Sequence, residues 1–197
     1  MYDQYNRKID YLRISLTDRC NLHCRYCQPE VREHVPHNEI LRYEELLRIC
    51  RAALQLGIRK FKITGGEPLL RKGCSDFIAR LKQTEGVEQV TLTTNGTLLA
   101  QQLPALIAAG VDSINVSLDT LDAAYYAELT GGSLSSVLQA LQELQAAGIP
   151  FKLNCVPLAE NGQTDIMQLL KLAHKYNAPL RFIELMPMLD HPEFGPE

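Results

Sequence analysis

Hydrophobic and polar residues alternate with a period of two in several short stretches of this chain. Leu12, Ile14 and Leu16 alternate with Arg13, Ser15 and Thr17. Phe61 and Ile63 alternate with Lys62 and Thr64, and Val90 and Leu92 with Thr91 and Thr93. Ile114, Val116 and Leu118 alternate with Asn115, Ser117 and Asp119, and Phe151 and Leu153 with Lys152 and Asn154. Side chains of a strand point to opposite faces in turn. The pattern therefore predicts strands over Tyr11–Thr17, Arg59–Thr64, Gln89–Thr94, Ser113–Asp119 and Phe151–Val156, with a sixth at Leu180–Leu185. Between them the sequence predicts helices near Tyr43–Leu56, Ser75–Gln83, Leu98–Ala109, Leu134–Ala147 and Thr164–Lys175. Leu134, Val137, Leu138, Leu141 and Leu144 follow the i, i+3, i+4, i+7 spacing of one helical face. Gly57, Gly110 and Gly148 stand where a left-handed residue closes a helix. Pro104 fits the third helix without distortion only in its first turn.

Strands alternating with helices imply a mostly parallel sheet with right-handed crossovers. Fully buried parallel strands read as continuous apolar runs, and these do not. One face of the sheet is apolar and suits the helices. The other is polar and carries Arg13, Lys62 and Lys152. A closed eight-stranded barrel fills its interior with branched apolar side chains. A partial (β/α)₆ barrel holding a polar ligand on its concave face accounts for the pattern better. The competing reading is a sheet with one wet face, or an internal salt network of these cations with Asp119 and Glu184.

Composition narrows the function classes. The 197 residues are 46% hydrophobic and 22% charged, and 20 Lys and Arg against 23 Asp and Glu give a net charge of −3. That balance argues against a long nucleic-acid partner. No apolar run reaches the ~18 residues of a membrane span, and Met1–Lys8 is polar, so the expectation is a cytoplasmic protein without a membrane partner. Six cysteines are unevenly spaced. Cys20, Cys24 and Cys27 fall within eight residues, while Cys50, Cys74 and Cys155 are scattered. Three close thiols in a reducing compartment point to a metal or cluster. Thiolates are the usual ligands of iron–sulfur clusters, and three leave one iron of a four-iron cluster open. Zinc closed by His34 or His37 as a Cys₃His set is the alternative. Cys50 falls on the apolar side of its helix with Leu46, Ala53 and Leu54, and is read as core.

The segment Cys20-Asn21-Leu22-His23-Cys24-Arg25-Tyr26-Cys27 follows the first strand, and Gly65-Gly66-Glu67-Pro68 follows the second. Together they resemble the C-x₃-C-x₂-C and GGE motifs of the radical S-adenosylmethionine (SAM) superfamily. The resemblance implies one [4Fe–4S] cluster on Cys20, Cys24 and Cys27. It implies SAM chelated to the open iron, its amino group received at Gly65, Gly66 and Glu67, and reductive cleavage to a 5′-deoxyadenosyl radical. An electron donor is implied as a partner.

Further segments occur in a fixed order. They are Leu12-Arg13-Ile14-Ser15-Leu16-Thr17-Asp18-Arg19-Cys20, Thr64-Gly65-Gly66-Glu67-Pro68-Leu69-Leu70-Arg71, Thr93-Thr94-Asn95-Gly96, Asn115-Val116-Ser117-Leu118-Asp119 and Arg181-Phe182-Ile183-Glu184-Leu185-Met186-Pro187. This set resembles the GTP 3′,8-cyclase family of molybdenum cofactor biosynthesis. The resemblance implies a lyase that abstracts the ribose 3′ hydrogen of GTP and joins that carbon to guanine C8. It implies SAM contacts at Tyr26, Gly66, Ser117 and Met186, and GTP contacts at Arg13, Thr93 and Lys152. Lys62 stands where the family has Arg, which keeps the charge and loses the bidentate fork. A triphosphate is a sensible counter-charge for Arg13, Lys62 and Lys152. The family's second cluster has no ligands here, because no cysteine follows Cys155, and no outer helix is expected after Met186. The chain is thus expected to be a single core domain over 1–197. It should cleave SAM with little coupled turnover of GTP, and associate with itself or with a missing C-terminal half. A radical SAM enzyme acting on another substrate, such as a peptide, and a non-catalytic or zinc-bound module are the alternatives.

Overall fold

The computed structural model describes residues 2–27, 34–158 and 162–185. Period-two alternation becomes six strands: β1 (Tyr11–Ser15), β2 (Lys60–Thr64), β3 (Gln89–Thr94), β4 (Ser113–Ser117), β5 (Phe151–Cys155) and β6 (Leu180–Phe182). They form one sheet in chain order, and the registered pairs β1–β2, β2–β3 and β5–β6 are parallel. This is the β/α architecture expected of a partial barrel. The helices are α1 (Tyr43–Gln55), α2 (Cys74–Lys82), α3 (Leu99–Ala108), α4 (Ala123–Thr130), α5 (Leu134–Ala146) and α6 (Gly162–Lys175), with a 3₁₀ turn at Pro68–Leu70. Among the described residues, no helix is long and apolar enough to cross a membrane.

Two compact units share the described residues. The first comprises 2–20, 34–94 and 101–114, the second 21–27, 95–100, 115–158 and 162–185. In the first, Phe61, Ile63, Val90 and Leu92 are fully buried, together with Leu47 and Cys50 of α1 and Phe77, Ile78 and Leu81 of α2. These are the apolar positions of β2 and β3, so the helices cover that face. A side chain of this kind contributes roughly 1.5–3 kcal/mol when fully buried. Asp112 ties the unit further, accepting from Lys82 Nζ at 2.8 Å and from the Val90 amide at 2.6 Å. In the second unit, Val116 and Leu153 are buried with Leu129, Val137, Ala140, Leu141 and Leu144 of α4 and α5.

Three features depart from the sequence expectation. Helix α4 was not expected; Asp122 caps its first turn by accepting from the Tyr125 amide at 2.9 Å, and Gly131 closes it in a left-handed conformation. Pro104 lies inside α3, beyond the first turn, so this helix lacks the amide bond that Pro cannot make. Strand β6 ends at Phe182 rather than Leu185, although the Ile183 amide still reaches the Cys155 carbonyl at 2.8 Å. Whether a helix follows Met186 is a question that lies outside the described residues.

Candidate active site

In the first unit the sheet register decides which polar side chains are neighbours. Arg13 pairs with Lys62, and Lys62 with Thr91. Ser15 pairs with Thr64 one pleat further on, and Thr93 stands in β3 two residues beyond Thr91. Arg13 and Lys62 are therefore adjacent on the polar face, as the alternation predicts. Lys62 Nζ lies 5.8 Å from the centroid of the Tyr11 ring, within cation–π range. Arg13 is exposed and makes no ion pair with a described residue.

The Gly65-Gly66-Glu67 turn leaves β2 against the chain leaving β1. The Gly66 amide donates to the Thr17 carbonyl at 2.7 Å, and the Glu67 amide to the Arg19 carbonyl at 2.8 Å. A Cβ on Gly66 would stand 2.3 Å from the Arg19 oxygen, and one on Gly65 would stand 2.7 Å from the Thr17 oxygen. Both contacts are to backbone, which cannot yield as a flexible side chain does. The glycines thus let the segment that leads into Cys20 lie against this turn.

Glu67 is fully buried. Its Oε1 accepts from the Leu69 amide at 3.0 Å and from Thr94 Oγ1 at 2.8 Å. Sequence reasoning offered this carboxylate to an ammonium group. The fold uses Oε1 to cap the 3₁₀ turn and to hold the end of β3. Nearby, Asp18 accepts from the Val35 amide at 2.9 Å and lies 3.2 Å from His34 Nδ1. The Val35 hydrogen bond, ahead of the imidazole, lowers the Asp18 carboxyl pKa.

The second unit holds the turn that carries Cys24 and Cys27. The Cys27 amide donates to the Cys24 carbonyl at 2.9 Å, which brings these two cysteines onto one turn. Cys20 and Cys24 are half-buried, Cys27 is exposed, and none is in a disulfide. Cys50, Cys74 and Cys155 are buried. Burial pushes the Cys50 thiol up to about 11 and the Cys74 and Cys155 thiols up to about 12. The sorting is one of access: half-buried or exposed thiols at the motif, buried ones in the core. Three accessible thiols on one short segment are the donor set that an iron–sulfur cluster takes. Among the described residues, no three His, Cys, Asp or Glu side chains converge on a single-ion site.

The loop before this turn is fastened along its length. Asn21 Nδ2 donates to Thr97 Oγ1 at 2.8 Å, and Asn95 Nδ2 donates to Asn21 Oδ1 at 3.0 Å. The His23 and Arg25 amides donate to the Thr130 and Leu129 carbonyls at 2.8 and 3.0 Å. These carbonyls end α4 and have no partner within the helix. The Tyr26 hydroxyl donates to Asp119 Oδ2 at 2.6 Å. Burial, followed by the Asp119 charge, pushes the Tyr26 phenol up, and burial pushes the Asp119 carboxyl up. Asp119 thus holds a phenol on one oxygen and a backbone amide on the other.

The polar face of this unit carries Ser117, Lys152 and Asn154. The Leu118 amide donates to the Asn154 carbonyl at 2.8 Å, which sets Asn154 beside Ser117. Asn154 also pairs with Arg181 across β5 and β6. Asn154 and Arg181 were not singled out from the sequence. The period-two rule that found Lys152 reaches Asn154 directly, and the strand register adds Arg181. Met186 lies outside the described residues.

Solved structures share this fold. Streptococcus suis SuiB bound to precursor peptide SuiA aligns with 90% of this chain and 39% of its own at a TM-score of 0.75 and 20% identity. Methylornithine synthase aligns with 94% of this chain and 56% of its own at 0.75 and 16%. At these identities the likeness is one of fold. Curated relatives are nearer in sequence. The GTP 3′,8-cyclase of Pelotomaculum thermopropionicum is 47% identical over 192 residues, covering 95% of this chain and 59% of the relative. That of Thermodesulfovibrio yellowstonii is 45% identical over 192 residues, covering 95% and 60%. The chain thus spans about three fifths of the length of these relatives. The radical SAM superfamily model matches residues 14–173, a span that takes in the cysteine turn, the glycine turn, the end of β1 and all of β2 to β5; the chain belongs to the radical SAM superfamily.

Proposed function

We infer that this chain is the cluster- and SAM-binding core of a GTP 3′,8-cyclase. In this reading Cys20, Cys24 and Cys27 hold a [4Fe–4S] cluster whose open iron takes SAM. Bound together, the two supply a one-electron cleavage that furnishes a hydrogen-abstracting radical. The chain's own residues do the rest. Gly65, Gly66 and Glu67 receive the SAM ammonium, with Glu67 held in place by its Oε1 contacts to Leu69 and Thr94. Tyr26, Ser117 and Met186 hold the adenosyl and methionyl parts. Arg13, Lys62 and Lys152 take the triphosphate with Thr93.

The observation that carries the substrate assignment is the register of β1 and β2, which places Arg13 directly beside Lys62 on a polar strand face. Two adjacent cations on one strand face repel each other, and an anion shared between them offsets that repulsion. A neutral peptide backbone does not answer that need, whereas a triphosphate does. The test is equilibrium binding of GTP to the protein reconstituted anaerobically with iron and sulfide. Saturable binding that weakens about tenfold in both Arg13→Ala and Lys152→Ala, with SAM binding unchanged, is expected. Equal loss of both ligands, or GTP binding indifferent to these residues, contradicts the assignment.

A further inference from the structure

We propose that Asp119 is a positioning residue that latches the cysteine-bearing turn, through Tyr26, to the ends of β4 and β5. The proposal rests on the reading that this turn carries cluster ligands. Asp119 lies two residues beyond β4 and is 4% exposed. Its Oδ2 accepts from the Tyr26 hydroxyl at 2.6 Å, and its Oδ1 accepts from the Val156 amide at 2.8 Å, one residue beyond β5. One carboxylate therefore joins three segments, with partners 93 and 37 residues away in sequence. The short phenol contact is of the charge-assisted kind, stronger than a neutral hydrogen bond.

The position of this bond along the loop gives it its role. Residues 22–25 are fixed upstream. Leu22 is buried, and a Cβ on Gly132 would stand 2.5 Å from Leu22 Cδ2. The His23 and Arg25 amides end on the α4 carbonyls. Beyond Arg25 the backbone support changes character. The Cys27 amide bonds back to the Cys24 carbonyl, within the turn itself. Tyr26 stands between these points, and its hydroxyl ties the Cys27 end, through Asp119, to the ends of β4 and β5. A cluster ligand held about 1 Å out of place loses productive geometry even when the ligand atom is intact. The latch thus sets where Cys27 stands without touching the cluster.

The experiment is site-resolved amide hydrogen exchange on the metal-free protein, comparing wild type with Asp119→Ala, Asp119→Asn and Tyr26→Phe. Exchange reports local opening separately from global unfolding. Loss of one charged hydrogen bond shifts such an opening by roughly tenfold or more. In Asp119→Ala and Tyr26→Phe, the Cys27 amide should exchange about tenfold faster, while Phe61 and Ile63 in β2 keep the wild-type rate. Asp119→Asn keeps an acceptor for Val156 and a polar partner for Tyr26, and should stay within threefold of wild type. Tyr26→Phe retains the Val156 bond, so it decides the matter if Asp119→Ala does not fold. Cys27 exchange within twofold of wild type in Tyr26→Phe, or equal acceleration at Phe61 and Cys27, overturns the latch. A parallel readout is the rate of iron release from reconstituted protein, faster in Tyr26→Phe than in wild type. Wild type that takes up no iron or sulfide defeats the functional reading, and leaves the exchange result to judge the latch alone.

Discussion

Replacing Gly66 by Ala separates two uses of a glycine pair. If Gly66 is small only so that a ligand can approach the backbone, the metal-free protein should tolerate a methyl group. The structure says otherwise. The added Cβ would lie 2.3 Å from the Arg19 oxygen, 2.6 Å from its carbonyl carbon and 2.8 Å from the Asp18 oxygen. All three are backbone atoms, so relief requires the 18–19 segment to move away from the turn. That movement strains the Gly66–Thr17 and Glu67–Arg19 hydrogen bonds, now 2.7 and 2.8 Å. Each is worth about 1 kcal/mol net, and overpacking adds roughly 1–3 kcal/mol. The expected loss is about 3–5 kcal/mol if both bonds are lost, which for a chain of this size lowers Tm by roughly 6–20 °C. Thermal unfolding of the metal-free protein followed by circular dichroism measures it. A Gly66→Ala protein whose Tm lies within about 1 °C of wild type would refute the packing argument.

Lys62→Arg restores a planar fork at a position paired with Arg13, and should tighten GTP by a few-fold in equilibrium binding; weaker binding would show that the Tyr11 contact, not the anion, dictates lysine here. Cys50→Ala should leave iron and sulfide content unchanged, because that thiol is buried core, whereas Cys24→Ala should abolish cluster assembly. The Cys50 thiol is raised from 9.0 to about 11 in the fold. An acid with a raised folded pKa contributes stability that is present below the unfolded pKa and is lost as pH rises through the folded one. Stability should therefore fall between about pH 9 and 11, and the fall should be smaller in Cys50→Ala, as read by denaturant titration.

The parts of this fold that sequence shows plainly are those governed by a period. Alternation in β2 separates Phe61 and Ile63 from Lys62 and Thr64 because one face meets helices and the other meets polar neighbours. The buried stripe of α5, Leu134, Val137, Leu141 and Leu144, follows the 3.6 period for the same reason. Short or bracketed elements are less visible. Helix α4 spans eight residues with little amphipathic contrast. Its signature lay in the capping Asp122 and the closing Gly131, not in its interior. The cysteine and glycine turns were legible as motifs, and their neighbours were not. The motif gives Glu67 but not its burial or its bond to Thr94 across to β3. The sequence offers Asp119 as one candidate counter-ion in a competing reading, and does not show Tyr26 and Val156 on its two oxygens. Pairings across 93 residues, such as Tyr26 with Asp119, follow from strand order and loop path, which a local pattern does not contain.

The most direct test of the account is anaerobic reconstitution of the chain with iron and sulfide, followed by metal analysis and assay of SAM cleavage under a strong one-electron reductant. The account predicts iron and acid-labile sulfide in equal amounts, formation of 5′-deoxyadenosine, and loss of both on replacing Cys20, Cys24 or Cys27 by Ala but not Cys50. Protein that instead holds zinc, contains no sulfide and leaves SAM intact would contradict it.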